Sequence, residues 1–238
     1  MRFARDRRRW LQWLFEAKKR FGTSILNYAV TSNHAHLLIN DAKGREVIPQ
    51  TMQLVAGRTG QEYNERKNRR GGFWEDRYHA TAVETDSHLN QCMVYIDLNM
   101  VRAGVVRHPS EWPFCGYSEI QNPRQRYSLI DYESVSDLFE VRSVEEFQKA
   151  HKGWVEEAFE KESHRERQPL WTESIAVGSE AFVKETKGKL GTRARGRKVR
   201  PASGSFELRE PRTRYETDFD LERDDLTEDN TLFWDVTV

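Results

Sequence analysis

The chain has 238 residues, with 38 basic and 38 acidic side chains and a formal net charge of zero. This length suffices for one sizeable hydrophobic core or two small domains. No apolar run approaches the ~18 residues that a membrane span needs, and no signal-type apolar segment follows the arginine-rich N-terminus, so we expect a cytoplasmic protein without a membrane partner.

The charges are unevenly distributed along the chain. Residues 1–115 hold 18 Lys/Arg and 12 Asp/Glu, a balance of +6, and the remaining residues hold 20 and 26, a balance of −6. An N-terminal half that binds DNA would show this asymmetry, although charge alone does not identify the ligand. The two cysteines, Cys92 and Cys115, lack the spacing of a metal site and are predicted to be free thiols.

The first 63 residues predict two helices that flank two strands. An apolar stripe at helical spacing predicts a helix over residues 4–21, and a glycine ends it. Residues 25–31 predict a strand, which a short turn joins to a second strand. Residues 47–63 predict another helix, weakened by two internal glycines, whose inward positions are Ile48, Met52, Val55 and Tyr63.

The second strand contains two histidines, His34 and His36, one residue apart in an apolar run over residues 28–40. Successive side chains of a strand point to opposite faces, so both imidazoles leave the sheet on the same side, with Cα atoms roughly 7 Å apart. That distance allows them to share one divalent ion. The alternative is a polar, solvent-facing side of a half-buried strand, because two ligands do not make a metal site.

A basic stretch that contains aromatic residues follows the second helix. Its composition suits single-stranded DNA, because cations meet the backbone and aromatic rings stack on bases. A solvated loop with a hydrophobic anchor explains it equally well. Residues 77–83 alternate as a strand, in which His79 is predicted to be structural. The candidate DNA-binding residues of the chain are Arg58, Arg66, Lys67, Arg69, Arg70, Trp74, Arg77 and Arg102.

A helix is predicted over residues 86–104, with Asp86 or Ser87 as its cap and Gly104 as its stop. Tyr95 and Asn99 are four residues apart and therefore share one face. If the two histidines hold a metal ion, Tyr95 and Asn99 would face that ion from the opposite side. The predicted buried stripe is Leu89, Met93, Ile96 and Met100.

The C-terminal part of the chain has a different composition. Residues 143–159 predict an amphipathic helix, residues 193–198 a basic linker or phosphate contact, and residues after 200 an acidic, mostly extended tail. We predict three regions: a catalytic domain over residues 1–118, a helical region over residues 119–190, and the linker with its acidic tail over residues 191–238.

Four segments resemble one known family. HAH resembles the HUH motif, YIDLNMVRAGVV resembles the signature of single-tyrosine HUH transposases, and FWEDRYHAT and EWPFCGYS resemble its flanking segments in the REP-associated tyrosine transposases. Each motif alone is modest, but their order and spacing also agree. The resemblance spans residues 3–171, with weaker matches beyond.

The resemblance implies a role for each motif residue. His34 and His36 match metal ligands, Asn99 matches the third ligand position, and Tyr95 matches the nucleophile that forms a 5′-phosphotyrosine. Mg²⁺ or Mn²⁺ is the implied ion. This is chemically reasonable, because a tyrosine phenol is a weak nucleophile at neutral pH and phosphoryl transfer needs charge neutralisation on the non-bridging oxygens.

The resemblance also implies an α+β fold with a ferredoxin-like antiparallel sheet, from which this chain departs. The predicted order is αββαβα, so the first, central strand of the family is missing before the first helix. A start assigned too late, a truncated product, or another segment in the gap would each explain this. Met100 stands where the family usually has proline. A helix tolerates methionine better than proline.

We therefore predict a DNA transposase that cleaves and rejoins single-stranded or hairpin DNA of repetitive palindromic elements, as a monomer or homodimer. The main alternative is a catalytically impaired relative that only binds such DNA. A replication-initiation or relaxase-type HUH protein is less favoured, because neither paired tyrosines nor a helicase region is visible.

Overall fold

The computed structural model describes residues 1, 3–44, 46–85, 87–161, 167–202 and 204–209, and has the predicted α+β composition. Within these residues, no helix is long and apolar enough to cross a membrane. The helices are α1 (Ala4–Phe21), α2 (Val47–Lys67), α3 (Ser87–Asp97), α4 (Asn99–Arg102), α5 (Gly116–Gln121), α6 (Tyr132–Leu138), α7 (Val144–Glu160), α8 (Leu170–Glu173) and α9 (Glu180–Leu190). The strands are β1 (Ser24–Val30), β2 (Ala35–Asn40), β3 (Ala82–Val83), β4 (Ala176–Gly178), β5 (Lys198–Ala202) and β6 (Ser205–Arg209).

Helix α1 has the predicted bounds. Its apolar stripe is buried at Trp10, Leu14 and Ala17, and the helix ends at Gly22, whose φ of 70° suits a residue without a side chain. Helix α2 runs one turn further than predicted, to Lys67. Of its predicted inward residues only Val55 is fully buried, because the small residues Thr51, Thr59 and Gly60 occupy the rest of the contact face.

Strands β1 and β2 form an antiparallel sheet in which Ala29 pairs with His36. Every residue of β1 is buried, whereas most of β2 is half-buried. The edge of β1 opposite β2 is covered by later segments, because Val30 N donates to Phe114 O (2.9 Å) and Asp131 N donates to Ile25 O (2.8 Å). Phe114 and Asp131, which follow α3 and α4 in the chain, therefore satisfy backbone groups at this edge of β1.

The third predicted strand is shorter than predicted. Of residues 77–83 only Ala82 and Val83 form a ladder, and they pair in parallel with β4. The preceding residues bind the C-terminal part of the chain through side chains: His79 Nε2 and Thr81 Oγ1 lie 2.9 and 2.5 Å from Ser174 O. The ferredoxin-like sheet thus stays a prediction that rests on the resemblance.

Residues 198–209 form a hairpin, where the sequence predicts the end of the basic stretch and the start of an extended acidic tail. β5 and β6 are antiparallel and complete a second sheet in the order β3-β4-β6-β5. Val199, Phe206 and Leu208 pack with α9, which explains why the segment folds. The predicted acidic tail from residue 210 onward, and the predicted cap Asp86, lie outside the described residues.

One hydrophobic cluster runs from Met1 to Val177 and includes residues of α1, β1, α3 and α7. A smaller cluster around Ala176, Val183 and Leu208 supports the second sheet. The predicted domain boundaries stay predictions. Cys92 and Cys115 are free and buried, as predicted, and burial raises the pKa of each thiol to about 12.

Gly116 occupies a position where any side chain would collide with the centre of the structure. A Cβ atom there would lie 2.1 Å from Asn27 Oδ1, in the middle of a buried strand. We therefore expect Gly116→Ala to lower the free energy of unfolding by about 2 to 4 kcal/mol in urea titrations. Gly57→Ala is the matched control: it adds a methyl group in open space on α2 and should raise stability by about 0.5 to 1 kcal/mol. Equal stability of the two variants would contradict the collision.

Candidate active site

His34 is held by the turn between β1 and β2. Thr31 binds it three times: Thr31 N donates to His34 O (2.9 Å), Thr31 Oγ1 donates to the same oxygen (2.9 Å), and His34 N donates to Thr31 Oγ1 (3.1 Å). Nδ1 of the imidazole lies 2.7 Å from Asn33 Oδ1, an acceptor. A proton on Nδ1 would satisfy this contact and leave the lone pair of Nε2 for a ligand.

The three predicted ligands come together. The rings of His34 and His36 have centroids 4.8 Å apart, and His36 Nε2 accepts a hydrogen bond from Asn99 Nδ2 (3.0 Å). Rotation of the Asn99 amide by half a turn places its oxygen at the same point. No group of three or more His, Cys, Asp or Glu side chains with metal-site geometry occurs among the described residues, so the candidate set is two imidazoles and an amide.

Both imidazoles are kept neutral by their surroundings. Burial lowers the pKa of His36 to about 4, with smaller effects from the charges of His34 and Arg102. Burial also lowers the pKa of His34, and the nearby Arg167 guanidinium adds to the effect. Neutral imidazoles are the form that binds a metal ion, so the site is ready for a cation at neutral pH without releasing protons.

Tyr95 lies on the same side of the sheet as the histidines. Its ring centroid is 6.3 Å from that of His36, and the residue is 7% exposed. Between Tyr95 and Asn99 the predicted single helix is interrupted at Leu98, which separates α3 from the short α4. The predicted stripe of α3 and α4 is buried at all four positions, which confirms it: Leu89, Met93, Ile96 and Met100.

Arg102 and Trp171 enclose the Tyr95 ring. The Arg102 guanidinium lies 4.0 Å from the ring centroid, and its Nη2 donates to Tyr95 O (3.1 Å). Trp171 of α8 lies 6.4 Å from the same ring. Sequence reasoning placed Arg102 among DNA contacts and missed Trp171 as a neighbour of the tyrosine.

A buried polar network fixes the tyrosine helix and was missed from the sequence. Asp97 Oδ2 is 2.7 Å from His151 Nε2 of α7, and both side chains are fully buried. Asp97 Oδ1 accepts from Asn27 Nδ2 of β1 (3.0 Å), and Gln121 Nε2 is 3.1 Å from His151 Nδ1. A carboxylate between the apolar residues Ile96 and Leu98 was the available signal, but its partners are 54 and 70 residues away in the chain.

The other predicted DNA contacts lie on α2 and the following loop, and no described contact joins them to the histidines. Arg66 forms an ion pair with the buried Asp6, and Trp74 Nε1 donates to Ala56 O (2.9 Å), so both have structural partners. Arg58 stacks on Trp13 and Lys67 on Phe3. The remaining three are exposed residues of the loop: Arg69, Arg70 and Arg77.

A cavity of about 380 Å³ lies between α3 and α7, beside the Tyr95 ring. Its lining is mixed, with polar residues on one hand and apolar residues on the other: Asn90, Gln91, Arg102, Glu157 and Gln168, and Val94, Leu98 and Trp154. The arrangement therefore combines a phenol, a candidate cation site and an adjacent space. These are the parts that attack on a phosphodiester requires.

The low pKa of His36 makes the protein without metal sensitive to acid. The unfolded chain takes up a proton near pH 6.5, whereas the folded protein resists it until about pH 4, so stability falls as the pH drops between these values. We expect the free energy of unfolding to lose about 2 to 3 kcal/mol more in the wild type than in His36→Gln between pH 7 and 4. Urea titrations at several pH values measure this. Parallel pH profiles of the two proteins would contradict it.

Comparison with known proteins gives a match for the N-terminal part of the chain. Residues 3–99 match the family model described as "Transposase IS200 like". The matched segment contains His34, His36, Tyr95 and Asn99, and it confirms the resemblance to the transposase superfamily. Neither a curated protein nor a solved structure gives a significant match.

Proposed function

Because residues 3–99 match the family model of IS200-like transposases, we propose that the protein cleaves and rejoins DNA through a covalent bond to Tyr95. The proposed substrate is single-stranded or hairpin DNA, as in the REP-associated branch, and the proposed site of action is the cytoplasm. One observation carries the mechanism: a strand and a helix bring two neutral imidazoles, an amide and a phenol to one side of the sheet.

The chain's own groups divide the work as follows. Nε2 of His34, Nε2 of His36 and the amide oxygen of Asn99 would hold Mg²⁺ or Mn²⁺. When bound, the ion neutralises charge on the non-bridging oxygens of the scissile phosphate. Two imidazoles in the donor set favour Mn²⁺, because Mg²⁺ prefers oxygen ligands.

The Tyr95 hydroxyl attacks the phosphorus, a bond forms between them, and the bond to the 3′ oxygen breaks. The phenol proton leaves and the departing 3′ oxygen gains one, so the DNA ends as a 5′-phosphotyrosine and a free 3′-hydroxyl. Attack by a 3′-hydroxyl reverses the step. One phosphate ester replaces another, so rejoining needs no ATP.

Arg102 supports the same reaction through its contact with the face of the Tyr95 ring. A cation over an aromatic face is attracted to it, and this attraction grows when the phenol loses its proton. The contact to Tyr95 O also fixes the guanidinium at the helix interruption. We therefore assign Arg102 to the nucleophile rather than to a DNA contact.

A second candidate function has one observation in its favour. The Tyr95 ring is closed from solvent by Arg102 and Trp171, so a substrate reaches the phenol only if these side chains move. A protein in which they do not move would bind DNA without cleaving it. Covalent adduct formation separates the two functions.

The test uses a hairpin oligonucleotide with a single-stranded flank, incubated with Mn²⁺ and resolved on a denaturing gel. We expect the wild type to form a covalent adduct, and we expect none from Tyr95→Phe or in the presence of EDTA, because attack requires the hydroxyl and the ion. Tyr127→Phe is the matched control: this tyrosine is 70% exposed and should leave adduct formation unchanged.

Two outcomes decide against parts of the proposal. An adduct formed by Tyr95→Phe would falsify the assignment of the nucleophile. If the wild type binds the hairpin in a gel-shift assay but gives no adduct with Mn²⁺ or Mg²⁺, the protein is the binding-only relative.

A further inference from the structure

The second sheet and α9 form a small C-terminal unit made of β4, α9, β5 and β6, with a core of Ala176, Val183 and Leu208. The proposed cleavage reaction uses none of these elements. The unit nevertheless has a high concentration of positive charge: residues 184–200 carry eight Lys/Arg and one Glu, a balance of +7. Because the whole chain is neutral, all other residues together carry −7.

The carboxylates of α9 already form ion pairs with lysines of the same helix. Glu180 pairs with Lys184 (2.7 Å) and Glu185 pairs with Lys189 (2.7 Å). In the part of the chain that the structure describes, no carboxylate lies within ion-pair distance of Lys187, Arg193 or Arg195. The unit therefore presents cations whose charge nothing described compensates.

These cations are placed on ordered backbone rather than on a linker. The 3-10 turn Gly191–Ala194 is anchored by Ala194, which is 2% exposed, and it closes with Arg195 N donating to Thr192 O (3.1 Å). Lys187 and Arg195 line one open, concave surface together with Lys184. The same surface contains Gly188, Gly191 and Gly196, where no side chain stands between a ligand and the backbone.

The surface lacks the feature that single-stranded DNA needs. Its two phenylalanines, Phe182 and Phe206, pack into the small core, and none of the exposed large apolar residues of the described chain belongs to the unit. Single strands are held by stacking on aromatic rings, whereas a duplex backbone is held by cations alone. The chemistry of the surface therefore fits a duplex.

We propose that this surface, defined by Lys184, Lys187 and Arg195 together with the exposed Arg193 of the adjoining 3-10 turn, binds the phosphate backbone of duplex DNA. It is a second DNA contact, separate from the tyrosine site and independent of base sequence. Only the identification of the duplex as the stem of a hairpin substrate rests on the proposed function.

The test compares two triple variants, each in a Tyr95→Phe background so that binding is measured without cleavage. Lys187→Gln, Arg193→Gln and Arg195→Gln remove three uncompensated cations from the surface. Arg142→Gln, Lys149→Gln and Lys152→Gln remove three exposed cations at the N-terminal part of α7 and leave the surface intact. Circular dichroism melting checks that both variants are folded.

Fluorescence anisotropy of a long-stemmed hairpin is measured over a range of salt concentrations. Each lost phosphate contact lowers the slope of log affinity against log salt by about 0.9, so the surface variant should lose between 2 and 3 from the slope. Its affinity at low salt should fall at least tenfold. The α7 variant should keep the slope of the parent, and a stemless single strand should bind both variants alike.

Three results would overturn the proposal: an unchanged slope in the surface variant, an equal loss in the α7 variant, or an equal loss on the stemless strand. The last result would make the surface a single-strand contact. The tyrosine chemistry is tested separately by restoring Tyr95 and measuring adduct formation on a stemless oligonucleotide. The proposal expects the same adduct yield from the parent, the surface variant and the α7 variant. Failure of the cleavage mechanism therefore leaves the salt-slope result interpretable.

Discussion

The buried carboxylate of Asp97 is the interaction on which the geometry of the site depends. It lies on α3, two residues after the candidate nucleophile, and it receives one hydrogen bond from Asn27 of β1 while contacting His151 of α7. Three elements thus share one charged group that has no access to water. Removing a single partner from such a pair leaves a buried charge uncompensated, which typically costs 3 to 5 kcal/mol, so the network fixes how the tyrosine helix faces the sheet.

The candidate site then needs little rearrangement of charge to accept its ligand. Desolvation lowers the pKa of both imidazoles, so both are neutral at neutral pH, and the turn at Thr31 holds the backbone of His34 in place. Of the two cations that lower the pKa values of the histidines, Arg167 acts on His34, and Arg102 lies over the ring of Tyr95. A divalent ion would therefore enter a site with no resident positive charge at its centre, and it would bring the attraction for a phosphate itself.

Local patterns predicted those parts of the structure that depend on neighbours in the sequence. The 3.6-residue period of α1 and α3 needs only a few adjacent residues, and these helices are confirmed. His34 is predicted in the same strand as His36, but it lies in the turn just before β2, which begins at Ala35. The parallel pairing of β3 with β4 and the contact of Asp97 with His151 involve residues more than 50 positions apart. The periodicity of hydrophobic residues carries no information about contacts between residues so far apart in the chain. The hairpin of β5 and β6 was not predicted, because charge dominated the composition of the C-terminal segment, although Val199, Phe206 and Leu208 carried the apolar signal.

The covering of β1 by later segments has a consequence for biosynthesis. The groups at this edge are matched by Phe114 and Asp131, which leave the ribosome about a hundred residues after β1 itself. At roughly 5 to 20 residues per second, the nascent strand waits about 5 to 20 s before its hydrogen-bonding groups are closed. During that interval it offers an open template to other chains, so the yield of folded protein in the cell should depend on chaperones that occupy nascent strand edges.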